Sequence, residues 1–168
     1  MRKKHCFNAH LFISLSFSIK TLILSQSIMP VQFFFLTNNI SLTQRTDLKK
    51  YIKSIFTKEK RKLSNLTYIF CSDAYLLNIN KSHLHHDFYT DIITFDLSET
   101  PTQIIGEIYI STDRIRDNAT TLGVSIKEEL HRVIFHGALH LCGYKDKTKK
   151  HANEMREAED RCLKGYFI

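Results

Sequence analysis

Apolar and polar positions alternate along this chain in two ways, and the two spacings divide residues 29–168 into strands and helices. The apolar run over residues 31–36 is rich in β-formers and predicts a first strand. Leu48, Tyr51, Ile52, Ile55 and Phe56 then repeat at three and four and predict an amphipathic helix. Its other face carries Lys49, Lys50 and Lys53, with Lys58, Lys60, Arg61 and Lys62 following. Residues 66–71 (LTYIFC) predict a second strand, and Ser72 is placed to cap a helix through Tyr75 and Leu76 to Asn80. Residues 83–89 predict an irregular polar and aromatic loop. Residues 91–97 and 104–110 predict two further strands, with Pro101 between them.

Ser111 begins a helix with Ile115, Ala119 and Leu122 on one side, and Gly123 ends it. Ser125 and Glu128 form an S-x-x-E capping box for the next helix. Its stripe is Leu130, Val133, Ile134, Gly137, Ala138 and Leu141, stopped by Gly143. A last helix over 149–163 turns Ala152, Met155, Ala158 and Cys162 inward, with Gly165 as its terminator. The order β-α-β-α-β-β-α-α-α predicts an α+β fold: a small mixed four-stranded sheet covered by helices.

Length and charge change this picture at one end only. The chain of 168 residues is one domain's worth, 43% hydrophobic, and long enough to bury a core without disulfides. Its four cysteines are scattered with no CxxC pair, which suits a reducing, cytoplasmic compartment. Of the net charge of +7, the first 28 residues supply four bases and no acid, so the rest is only mildly basic. Those residues pair a basic start (RKKH) with an apolar run, as a secretory signal does. The run is shorter than a bilayer span and Lys20 interrupts it, so no stable membrane association is expected. The alternative is an over-called start, with the protein beginning at Met29. The abrupt change of composition there favours treating residues 1–28 as extraneous and 29–168 as one domain.

The chemistry concentrates in HGALHLCGYKD, residues 136–146. His136 and His140 stand one helical turn apart on one face, so two imidazoles can meet one metal ion. Gly143 breaks the helix, and the returning chain brings Asp146 within reach of the same ion. Three protein ligands with one open position is the pattern of a catalytic zinc site. Cys142 lies about 200° round the helix from His140, His131 points elsewhere, and His151 is a reserve ligand should Asp146 fail. An isolated H-x-x-x-H is more often packing than chemistry; the glycine break and the aspartate strengthen the metal reading.

This segment resembles the H-G-x-L-H-L-x-G-Y-D-H signature of the YbeY family of bacterial rRNA maturation factors and single-strand endoribonucleases. TDIITF (90–95) is similar to that family's T-D-V-L-S-F strand, GEIYIS (106–111) to its G-D/E-I-x-I-S strand, and LKGYFI to its closing L-G-Y. The likeness covers about 29–168. It implies a metzincin-like metal helix, one zinc ion held by His136, His140 and Asp146, and cleavage of single-stranded RNA. It further implies a part in 16S rRNA 3′-end maturation and ribosome quality control, with rRNA and the small ribosomal subunit as partners.

Two departures stand out. Asp146 occupies the position where the family usually has its third histidine. A carboxylate also binds zinc, so the site is expected to be kept. The family's loop arginine falls on Leu84 and a nearby lysine on His86, leaving phosphate contacts to His85, His86 and the basic stretch containing Lys49 and Lys53. No general base is evident, Glu107 and Glu154 being weak candidates. Gly137 stands where H-E-x-x-H metalloproteases carry glutamate, which counts against a peptidase of that mechanism. A ribosome-assembly protein with a structural metal, and a metallopeptidase-like hydrolase, remain the alternatives.

Overall fold

The computed structural model describes residues 30–84, 87–100 and 102–168. The extension read over 1–28, together with His85, His86 and Pro101, lies outside the described residues. The elements are β1 (Val31–Phe35), α1 (Arg45–Lys58), β2 (Lys62–Cys71), α2 (Asp73–Ile79), β3 (Ile92–Asp96), β4 (Gln103–Ser111), α3 (Thr112–Leu122), α4 (Ile126–Cys142) and α5 (Lys149–Phe167). The sheet order is β1-β2-β4-β3. β1, β2 and β4 run parallel, and β3 pairs antiparallel with β4 as an outer strand. The mixed four-stranded sheet and its helical cover are as the pattern predicts.

Alternation along the strands sorts the core into two layers. Leu66, Tyr68 and Phe70 of β2 and Ile104, Ile108 and Ile110 of β4 face α1, α4 and α5. Ile69, Cys71, Ile93 and Tyr109 point to the opposite face, where Leu76 of α2 covers them. α4 lies deep in the larger layer and is buried along most of its length from Glu129 to Leu141. Two glycines set its distance from the sheet. A Cβ on Gly137 would stand 2.9 Å from side-chain atoms of Ile108 and Ile92, and a Cβ on Gly106 would stand 2.6 Å from Leu141 Cδ1. Each glycine therefore receives a branched side chain from the other element. The Tyr68 hydroxyl donates to the Ile134 carbonyl at 3.0 Å, which ties the helix to β2.

Four features differ from the pattern. β2 begins at Lys62, four residues early, because its ladder with β4 continues past a register shift at Leu63/Asn65 that hides the alternation. The stretch beginning at residue 83 is not wholly irregular: a π-helical turn, Asn80–Leu84, prolongs α2. α5 continues through Gly165 to Phe167. That glycine makes room for Tyr51, whose hydroxyl lies 2.6 Å from where a Cβ would be. Ala152 is exposed, so the buried stripe of α5 starts at Met155, and Leu122 is 51% exposed rather than inward.

His131 is buried, with Nδ1 2.6 Å from the Lys127 carbonyl and its ring stacked on Tyr166. Burial, then the nearby Lys127 charge, hold it below the ordinary histidine value. The folded protein thus favours the neutral ring, and this contribution is whole above about pH 6.5 and is lost as pH falls below it. His131→Phe is expected to lose less stability than the wild type between pH 7.5 and pH 5.5 in urea unfolding. An equal loss in both proteins removes His131 from the pH dependence.

Candidate metal centre

The site forms where the C-terminal half of α4 passes the outer strand β3. A cleft of about 440 Å³ runs between them, with Asp91, Thr94, Asp96, His136, His140 and Asp146 along its walls. Ser125 starts α4 by accepting the Glu128 N–H on its hydroxyl, and Gly143 ends it at φ 105°, a backbone conformation that favours glycine. The turn after Gly143 brings Asp146 back over the helix end.

The three predicted ligands converge. One ligand atom from each of His136, His140 and Asp146 lies within 4.8 Å of the others. Asp146 Oδ2 is 3.8 Å from His136 Nε2 and 3.5 Å from His140 Nε2. Ligands placed ~2.0–2.1 Å from a tetrahedral ion stand ~3.4 Å apart, so the group is close to the required size. The ring atoms not aimed at this point are engaged elsewhere. His136 Nδ1 is 2.7 Å from Glu159 Oε1, and His140 Nδ1 is 3.0 Å from the Tyr144 carbonyl. Donation from both Nδ1–H groups leaves the Nε2 lone pairs facing Asp146, the arrangement that metal-binding histidines require. The residues present therefore fit a divalent cation.

The two histidines are supported unequally. His140 uses a neutral carbonyl supplied by the same turn that ends α4. Tyr144, whose carbonyl this is, is held in place by donating its hydroxyl to Glu59 at 3.1 Å. His136 uses a buried carboxylate from α5. Arg132 and Arg156 each approach Glu159 Oε2 at 3.4 Å, and Arg132 Nη1 also lies 2.5 Å from Asp160. Burial pulls His136 down, but the hydrogen bond and charge of Glu159, then Asp91 and Asp146, outweigh it and raise the ring above its ordinary value. His140 is lowered by burial and by the neighbouring His136.

Glu159 is thus a positioning residue for His136. Glu159→Ala is expected to weaken divalent-metal binding at this group roughly 10- to 100-fold, as the loss of an outer partner does. Chelator competition measures this. Glu159→Gln keeps an acceptor oxygen and is expected to recover part of the loss; unchanged affinity in both variants would remove the role.

The other sequence candidates sit elsewhere. Glu107 lies on the sheet face opposite α4 and accepts from the Tyr109 hydroxyl at 3.1 Å. Glu154 is exposed on α5 and pairs with Lys150 at 3.8 Å. Lys49 stands 5.7 Å over the Phe33 ring of β1, at the edge of the sheet opposite β3. Lys53 is exposed on α1, and neither lysine lines the cleft, whereas Lys147 does. His151, the reserve ligand, is outside the converging group. The sequence reading missed Glu159 and Asp91. Glu159 carried a signal, being an acid adjacent to Ala158 and one turn after Met155 on a buried stripe, but a partner 23 residues away is set by helix packing alone.

A histidine pair and a carboxylate around one point, on a buried helix beside an outer strand, define a candidate metal-binding α+β protein. The family model described as Endoribonuclease YbeY matches residues 35–166, and the chain belongs to that family. A protein named Endoribonuclease YbeY from Cytophaga hutchinsonii is 50% identical over 131 residues, spanning 78% of this chain and 92% of its own. One of the same name from Porphyromonas gingivalis is 44% identical over 131 residues, spanning 77% and 86%. A solution structure from Thermotoga maritima shares the fold, with a TM-score of 0.55 and 23% identity over 82% of this chain and 89% of that one. Among the described residues, no helix is long and apolar enough to cross a membrane.

Proposed function

We propose that this chain is a zinc-dependent endoribonuclease that cleaves single-stranded RNA in the cytoplasm, acting on the small ribosomal subunit in 16S rRNA 3′-end maturation and ribosome quality control. The observation that carries it is the convergence of His136, His140 and Asp146 on one point in an open cleft, in a chain of the endoribonuclease YbeY family. A bound divalent ion there would polarise a phosphoryl oxygen and make water more acidic.

The chain's own residues do the rest. His136 and His140 present Nε2, fixed by Glu159 and the Tyr144 carbonyl, and Asp146 supplies the anionic ligand. Lys147, next in sequence, places a cation on the cleft wall for a backbone phosphate. Position 137 faces Ile108 and Ile92 in the core rather than the cleft, so no side chain there can serve as a base. This weighs against the H-E-x-x-H type of peptidase.

The test is cleavage of a single-stranded RNA carrying the 16S 3′ end. Cleavage is expected to stop on chelation and to return with zinc. Cleavage that persists in fully metal-free protein, or a zinc-loaded protein inert towards RNA, overturns the proposal. Recovery with iron or manganese but not zinc replaces the metal.

A further inference from the structure

A second cavity, of about 350 Å³, opens on the other side of His136. Asp91 and His136 line both hollows. The Nε2 side of the ring meets Asp146 in the first, while the Nδ1 side meets Glu159, which lines the second. Both volumes lie within the range of roughly 300–1,000 Å³ typical of small-ligand pockets. An endonuclease has to hold a nucleotide on each side of the bond it cuts. Two hollows that share one ligand histidine meet that requirement.

The second cavity has features that packing does not explain. Glu129 is 3% exposed; the Asn118 side chain hydrogen-bonds to its carboxylate, but Oε2 is left without a hydrogen-bond partner. Arg132 Nε, also buried and without such a partner, stands 3.9 Å away. An acceptor and a donor thus lie side by side at the floor, where buried polar groups are normally satisfied. Burial raises Glu129 above the ordinary carboxylate value. The rim carries the half-exposed Leu122 and the half-exposed guanidinium of Arg156. Apolar and planar cationic surfaces are those on which unpaired bases stack.

We infer that this cavity seats the base of one nucleotide flanking the scissile phosphate, with its Watson–Crick edge towards Glu129 and Arg132 and its face against Leu122 and Arg156. Every base offers a donor beside an acceptor on that edge, so the subsite tolerates any base. The edge is free only in unpaired RNA, so the subsite excludes a duplex. This rests on the nuclease reading given above.

The experiment uses zinc-loaded protein and a single-stranded oligoribonucleotide whose cut site has been mapped. The base on each side of the cut is removed in turn, leaving an abasic sugar. Removal on one side is expected to raise KM about tenfold, the scale of one lost stacking contact, and removal on the other to matter little. Affinity for an uncleaved 2′-O-methyl analogue, read by fluorescence anisotropy, is expected to fall in parallel. In Leu122→Ser and in Glu129→Leu the penalty for base removal is expected to shrink to less than about twofold. Leu122 is at the rim, so its variant keeps the test alive if Glu129→Leu fails to fold. RNA that is cleaved with no dependence on either flanking base, or a penalty that survives in Leu122→Ser, overturns the inference alone. A protein that cleaves no RNA at all overturns the nuclease reading beneath it.

Discussion

Asp146→Ala is expected to lose the divalent metal that the proposed site would hold, and with it RNA cleavage, while the fold persists. Asp146 is 44% exposed in the segment after α4, and its carboxylate has no partner among the described residues other than the two histidines. Removing an exposed side chain of this kind changes stability by about 0.5 kcal/mol or less. The remaining His136 and His140 form a two-ligand site, so the loss of affinity should exceed the roughly 10- to 100-fold cost of an outer partner. Asp146→His, which restores the residue usual in the family signature, is expected to hold one zinc again. Metal content after gel filtration, with thermal melting of the metal-free proteins, checks both. An unchanged zinc content in Asp146→Ala takes Asp146 out of the ligand set.

Gly137→Val is expected to remove about 3 kcal/mol or more of stability, a large share of the 5–15 kcal/mol that holds a domain together. The first added carbon already meets Ile108 and Ile92 at 2.9 Å, and valine adds two methyls beyond it. Gly137→Ala sets a gain of about 1 kcal/mol in helix propensity against overpacking of about 1–3 kcal/mol, so a smaller loss is expected. Lifting α4 from β4 also displaces His136, the adjacent residue, so zinc affinity should fall with stability. Urea unfolding and chelator competition on both variants follow the two effects. A valine variant as stable as the wild type shows that the helix and sheet can separate here without cost.

The local parts of this structure were legible because their causes are local. Ser72, Ser111 and Ser125 each cap a helix through their own hydroxyl, as their positions ahead of apolar stripes imply. His136, His140 and Asp146 lie within eleven residues, so one helical turn and one glycine suffice to bring them together. Elements and roles set by distant packing were misjudged. Gly165 reads as a helix stop, and only the approach of Tyr51, more than a hundred residues earlier, shows why glycine is needed inside α5. Ala152 and Leu122 follow the apolar spacing of their helices but remain exposed, Leu122 by half. Glu107 is a weak base candidate in the sequence, and strand alternation turns it away from the cleft. The electrostatic partners of His136 come from α5, and no spacing rule connects Glu159 to Arg132 or Arg156 before the helices dock.

Among the described residues, the antiparallel strand β3 leaves one side of its ladder unpaired along the cleft. An open ladder is a template on which a second molecule can add a strand and begin a fibre. Here that template is only five residues long, Ile92–Asp96, and it is bracketed by the carboxylates of Asp91 and Asp96. Stacking two copies in register would crowd like charges at both ends. The cleft can therefore stay open to solvent at modest risk of self-association.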